Sequence, residues 1–266
     1  MSRTGLTGKV AVVVGGGGAI GAATAALLAE EGAHPIILGP EQEPPLHAVA
    51  ERTGALAVVG DAADADVVRQ AVALARERFG RLDILVTCPG GHGGGTALDT
   101  DDATWAWVLR VNLDTVFVSA RECLPALIER RGAILVVSSL AGLRGAPRAV
   151  AYVTAKHALI GLVRSLACDY GPAGVRVNAL CPGLVKTPMT DPLMDLLAAE
   201  RGITRDDAYA LLSSVTPLGR AAVPEEMAEL IVFLVGDQSA IVTGEILTAD
   251  AGACAVDVPT LALHRR

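Results

Sequence analysis

Tyr152 and Lys156 are the pair that asks for a chemical explanation. The stretch AYVTAK (151–156) holds one of only three Tyr and one of only three Lys in 266 residues, and the other nineteen basic residues are Arg. Four positions apart on a helix, two side chains lie on one face, a turn from each other. On a wheel over residues 151–170 they share that face with Leu159, Val163 and Leu166, while Thr154, His157, Gly161, Arg164, Ser165 and Cys168 take the opposite one. Spacing alone leaves two explanations open. In one, Tyr152 packs on the core while Lys156 snorkels its ammonium to water. In the other the pair exchanges protons. A phenol with a pKa of about 10 needs a lower one to work near neutral pH, and an ammonium one turn away favours the phenolate.

A second chemical signal lies near the front of the chain. In VVVGGGGAIG (12–21), four consecutive glycines separate a β-branched run from a helix-like one. Glycines at such a junction let the backbone turn tightly and approach a pyrophosphate at a helix N-terminus. Gly16-x-Gly18-x-x-Gly21 fits the general dinucleotide fingerprint, one residue later than usual. Asp61, in VVGDAAD, follows another strand-like run, where it either caps a helix or faces a ligand. HGGG (92–95) resembles an esterase oxyanion loop, but the chain has no G-x-S-x-G nucleophile elbow. The five His (34, 47, 92, 157, 264) lack ligand spacing, so no metal is expected.

These residues need a frame that brings them together. Seven short apolar runs supply it: KVAVVV (9–14), HPIIL (34–38), ALAVV (55–59), LDILV (82–86), AILVV (133–137), VRVNAL (175–180) and EILTA (245–249). Continuous apolar runs suit strands buried on both faces, as in a parallel sheet. Between them run helical patterns that end in glycine, such as DADVVRQAVALARERFG (64–80). The alternation predicts an α/β fold, a Rossmann-type doubly wound parallel sheet, in a single domain over residues 1–266. The stretch 188–223 interrupts it. Residues 188–215, flanked by Pro188, Pro192 and Pro217, are expected to form a helical lid over the site.

Composition narrows the function classes. A hydrophobic fraction of 52% with 3% aromatics means a core of Ala, Val, Leu and Ile, ample without disulfides. A net charge of −7, with no basic run beyond Arg265-Arg266, argues against nucleic acid as a partner. Five scattered Cys (88, 123, 168, 181, 254) without C-x-x-C read as reduced thiols in a cytoplasmic protein. MSRTGLTGK at the start has no apolar signal segment, and no apolar run nears the ~20 residues that span a membrane. PEEMAELIVFLVG (224–236) is apolar on more of its surface than one core contact needs, which marks an interface.

Further motifs line up with the Tyr–Lys pair. AILVVSSLAGLRG (133–145) ends a strand in Ser138-Ser139, with Ser139 13 residues before Tyr152; GVRVNALCPGLVKTPM (174–189) and VTGEILTADAG (242–252) follow. Ser, Tyr-x-x-x-Lys and Pro-Gly-x-x-x-Thr in this order resemble the short-chain dehydrogenase/reductase family over roughly residues 5–252. In combination these motifs are highly specific.

The resemblance implies a nicotinamide-dependent oxidoreductase that moves a hydride between cofactor and a secondary alcohol or ketone. It implies Tyr152 as general acid/base, Lys156 lowering its pKa and holding the nicotinamide ribose, and Ser139 bonding the reacting oxygen. It implies that Asn112, in LRVNLDTVF (109–117), bends its helix and supports a proton-relay water; the plain alternative is an exposed helix Asn. Cofactor contacts are implied at Gly15, Gly18, Ala19, Ile20, Gly21, Asp61 (beside the adenine), Ala62, Thr87, Gly90, Tyr152, Lys156, Pro182, Gly183, Val185 and Thr187. A homotetramer is implied as well.

Two departures stand out. The family's Thr-Gly-x-x-x-Gly-x-Gly becomes Val14-Gly15-x-x-x-Ala19-x-Gly21, and the Ala19 methyl crowds the phosphates. Thr87-Cys88-Pro89-Gly90 stands where the family has Asn-Asn-Ala-Gly. They motivate a rival explanation, a non-catalytic dinucleotide-binding regulatory or structural subunit. At the end of strand two, Gly39 and Pro40 occupy the positions of the ribose-binding acid and the phosphate-binding base. With Gly18 in place of a basic residue and Glu41 and Glu43 nearby, NAD is expected over NADP.

Overall fold

A computed structural model of the chain describes residues 4–41, 46–88 and 90–257. Glu43, Pro89, Arg265 and Arg266 lie outside them. The seven apolar runs form one parallel sheet in the order β3-β2-β1-β4-β5-β6-β7. Its strands are β1 (Val10–Val14), β2 (His34–Gly39), β3 (Leu56–Val59), β4 (Ile84–Thr87), β5 (Ala133–Val137), β6 (Arg176–Pro182) and β7 (Ile246–Ala249). All five residues of β1 are buried because the strand lies mid-sheet and is covered on both sides.

The alternation of its side chains separates two cores. Val10, Val12 and Val14 pack under α3 (Ala65–Phe79), α5 (Thr115–Arg130) and α6 (Val150–Tyr170). Ala11 and Val13 pack under α1 (Ala19–Glu30), α2 (Leu46–Thr53) and α9 (Pro224–Val235). Each large apolar side chain fully buried there contributes about 1.5–3 kcal/mol. α4 (Asp102–Leu109) precedes α5, and α7 (Asp191–Arg201) and α8 (Arg205–Ser213) occupy the stretch that broke the sequence alternation. Those two helices share a small core of Met194, Ala198, Ala208, Tyr209 and Ala221.

Two arrangements fix the amino end of the sheet. Asp83 accepts from the Val10 amide at 2.9 Å and from Arg81 Nη2 at 2.6 Å, which ties β1 to β4. Arg176 donates to the Leu234 and Gly236 carbonyls at 2.7 and 3.0 Å and so caps the C-terminus of α9. The opposite, carboxyl end is built from loops. The chain winds outward from β1 to β3, then crosses back to β4, and the reversal opens a crevice above the carboxyl ends of β1 and β4.

Candidate active site

α6 carries the Tyr–Lys pair as the wheel requires. Lys156, Leu159, Val163 and Leu166 are buried, whereas Thr154, His157, Gly161, Arg164, Ser165 and Cys168 are exposed. Tyr152, in the first turn of the helix, is half-buried. β5 delivers the two serines to the same place. Ser138 Oγ donates to the Lys156 carbonyl at 3.0 Å and pins the strand exit to α6. Ser139 Oγ accepts from the Ala141 amide at 3.1 Å and lies near enough to the Tyr152 phenol to pull its pKa down. Lys156 is 2% exposed, donates to the Val137 carbonyl at 3.4 Å, and sets Nζ 5.6 Å from the Tyr152 ring centroid. Ser139, Tyr152 and Lys156 therefore converge at the carboxyl end of β5.

Their electrostatics differ from the sequence expectation in one respect. Burial pushes the Tyr152 phenol above its ordinary value, with the Ser139 side chain pulling the other way. Burial also drives Lys156 down to about 8, against the pull of the Cys88 and Cys181 thiols, which leaves the ammonium the major form at neutral pH.

That same burial makes a stability prediction. The fall from 10.5 to about 8 corresponds to roughly 3 kcal/mol. The folded value lies below the unfolded one, so the fold is penalised in full below about 8 and the penalty fades as pH rises to 10.5. Lys156→Met should raise the melting temperature of the cofactor-free protein by several degrees at neutral pH, even after losing the Val137 contact. The gain should vanish above about pH 10. A lower melting temperature at neutral pH would contradict it.

Asn112 lies in a π-helical turn, Arg110–Asp114, between α4 and α5. It is fully buried, not an exposed helix Asn: Nδ2 donates to the Gly91 and Val108 carbonyls, both at 2.9 Å. Its Oδ1 is buried and accepts nothing from the described residues.

The glycine loop forms a cradle. Gly15 leaves β1 at φ +73, in the left-handed region that favours glycine. Gly18 caps α1 with extended backbone and no side-chain bond, so Ala19, Ile20 and Gly21 open the helix with amides free for an anion. A Cβ on Gly21 would run into the Gly15 carbonyl and lie 2.8 Å from the Gly16 Cα. The residues present fit a pyrophosphate.

A groove of about 180 Å³ continues from the cradle, with Gly15, Gly18, Asp61, Ala62 and Gly90 among its walls. Gly17, Gly39, Pro40, Cys88, Thr115 and Met189 also line it. Asp61 accepts from the Ala63 amide at 2.8 Å and pairs with Arg110 at 2.8 Å; Asp64, not Asp61, caps α3. Thr87 is buried with Oγ donating to the Leu135 carbonyl at 3.4 Å, and burial raises its neighbour Cys88 to about 12, a neutral thiol. Pro182 ends β6, Gly183 donates to the Ala249 carbonyl, Val185 bridges to Ala222, and Thr187 meets Thr190 at 3.2 Å. Sequence reasoning missed Met189, whose Cε lies 3.4 Å from where a Cβ on Gly90 would be. It also missed His92, whose ring centroid is 5.0 Å from that of Tyr152. HGGG was the signal for His92, set aside as an esterase pattern. Among the described residues no cluster of His, Cys, Asp or Glu could hold a metal ion.

The chain is similar to known proteins over nearly its whole length. A family model described as enoyl-(acyl carrier protein) reductase, of the short-chain dehydrogenase type, matches residues 16–254. The chain belongs to the short-chain dehydrogenase/reductase family. It is 44% identical to protein MoaE of Klebsiella aerogenes over 96% of this chain and 98% of the relative. It is 35% identical to 2-(S)-hydroxypropyl-CoM dehydrogenase 3 of Xanthobacter autotrophicus over 94% and 98%. L-sorbose reductase from Gluconobacter frateurii, solved with NADPH and L-sorbose, superposes with a TM-score of 0.89 at 29% identity, over 97% of this chain and all of the other.

This short-chain dehydrogenase/reductase is an oxidoreductase of CH–OH groups and their ketones that works with a nicotinamide cofactor. A nicotinamide cofactor is supported, but nothing found ranks NAD above NADP; L-sorbose reductase, a similar chain, is solved with NADPH. The physical reason is that Gly39 and Pro40 supply neither determinant, while Glu41 is exposed and its charge is screened by water.

Proposed function

We propose that this enzyme interconverts a secondary alcohol and a ketone with Tyr152 as the proton-exchanging group. The observation that carries it is the convergence of Ser139, Tyr152 and Lys156 beside the glycine cradle. When bound, the nicotinamide supplies or takes the hydride. Tyr152 Oη gives the substrate oxygen its proton on reduction and takes it on oxidation. The Ser139 hydroxyl donates to that oxygen and holds it in line. Lys156 Nζ, donor-rich and buried, holds the nicotinamide ribose hydroxyls, while Asn112 fixes the Gly91 loop and its π-helical turn. The Gly15–Gly21 cradle binds the pyrophosphate; Asp61, Ala62, Thr87 and Gly90 form the adenosine and nicotinamide walls, and Pro182, Gly183, Val185 and Thr187 close the nicotinamide side. The test is nicotinamide absorbance on a panel of ketones and alcohols, run with NAD(H) and NADP(H). Tight dinucleotide binding without turnover across the panel would favour the non-catalytic subunit instead.

The segment holding α7 and α8 acts as the substrate lid. Leu193, Leu196, Leu211 and Leu212 are exposed on it, a surface for a carbon-rich substrate. Its base is tied by the Tyr209 hydroxyl, which donates to Asp191 Oδ1 at 2.8 Å and meets Thr190 Oγ1 at 2.7 Å. Hydrogen exchange across 191–213 should slow when dinucleotide and substrate bind together; unchanged exchange refutes the lid.

Exposed Phe117, Ile128 and Phe233 on α5 and α9 support a homo-oligomer, of the tetrameric kind expected from the sequence. Five free thiols fit the reducing cytoplasm, and no described helix is long and apolar enough to cross a membrane.

A further inference from the structure

We propose that His92 is a positioning residue, packed ring against ring on Tyr152 so that the phenol is held at its working angle and shielded from water. The proposal rests on Tyr152 as the proton-exchanging group. The two ring centroids are 5.0 Å apart and tilted by 46°, an arrangement favoured between aromatic rings. Lys156 Nζ also contacts the Tyr152 ring, 5.6 Å from its centroid.

The loop that carries His92 is built to aim it. From Gly90 to Gly95 every described residue except His92 is glycine, so the loop projects a single side chain. Gly91 is fixed through its carbonyl, which accepts from Asn112 Nδ2 at 2.9 Å. Gly95 donates to the Arg148 carbonyl at 2.8 Å and pairs with Ala149, at the start of the helix that bears Tyr152. Between those anchors the backbone presses on α4: a Cβ on Gly91 would lie 2.7 Å from the Trp107 ring, and one on Gly93 would strike Val108. A loop clamped at both ends and against a helix keeps the His92 backbone in place, and the exposed imidazole is set on the solvent side of the Tyr152 ring.

Shielding gives the proposal a signature that simple packing lacks. The groups facing Tyr152 are Ser139 from the β5 exit, Lys156 on its own helix and His92 from this loop; Cys88 and Cys181 face Lys156 in turn. Burial raises the Tyr152 pKa, so removing the ring that covers it lets water in and lowers that pKa toward its ordinary value.

The experiment compares His92→Ala and His92→Phe, the second keeping a ring without imidazole nitrogens. In His92→Ala, kcat should fall about tenfold with dinucleotide KM unchanged, as small misplacement of a catalytic group does. His92→Phe should recover most of that loss. Tyrosinate ultraviolet absorbance, read as the difference from Tyr152→Phe, should appear at lower pH in His92→Ala and near the wild-type pH in His92→Phe. This titration needs no substrate, so it tests the clamp even if the wild type turns over nothing on the panel, which is the outcome that sinks the functional proposal. An unmoved titration in His92→Ala, or a Phe variant as impaired as the Ala variant, overturns the positioning role.

Discussion

Tyr152→Phe is expected to lower turnover by about 10²–10⁴-fold while leaving fold and dinucleotide affinity intact. Oη is the acid–base atom that the Ser139 side chain acts on, and the ring keeps its packing against His92 and Lys156 when only the hydroxyl is removed. Loss of one hydroxyl from a half-buried ring leaves no cavity of consequence. The loss should appear in kcat rather than in dinucleotide KM, since the hydroxyl acts on the substrate oxygen. Steady-state kinetics with dinucleotide titration in parallel checks both halves. Near-normal turnover in the Phe variant would falsify the mechanism.

Gly21→Ala should weaken dinucleotide binding about 100-fold or more, roughly 2.7 kcal/mol, and lower the melting temperature as well. The new methyl would collide with the Gly15 carbonyl and lie 2.8 Å from the Gly16 Cα, and both are backbone, with no side chain to swing aside. Either α1 moves away from β1 or the loop unwinds, and each displaces the amides of the cradle. Overpacking of this kind costs about 1–3 kcal/mol in the fold itself. Gly161→Ala is the control: nothing lies within 4 Å of a Cβ there, so affinity should hold and α6 should gain slightly. Calorimetric titration with NADH and NADPH on both variants measures the contrast; equal affinities would refute the cradle.

Much of this was legible in the sequence because periodicity reports burial. All seven strands fall on the apolar runs, within a residue or two at their ends, and α6 exposes the face the wheel assigned to solvent. What stayed hidden depends on neighbours far apart in the chain. Asp61 and Arg110 are 49 positions apart, and no local pattern signals their pairing. His92 meets Tyr152 across sixty residues, and Met189 meets Gly90 across nearly a hundred. The upward shift of Tyr152 was missed for a related reason: helical spacing gives the distance to Lys156 but not the burial that weakens both charges. The choice between NAD and NADP was not legible, because two absent determinants carry no sign.

The contact between Met189 and Gly90 has a consequence for the order of events in a catalytic cycle. One methyl group stands on the shelf where the dinucleotide must lie, and it belongs to the stretch that leads into α7. Met189 thus borders both the dinucleotide groove and the approach to α7. Ordered binding, dinucleotide first and released last, is the expected outcome, and product-inhibition patterns check it; random-order patterns would contradict it.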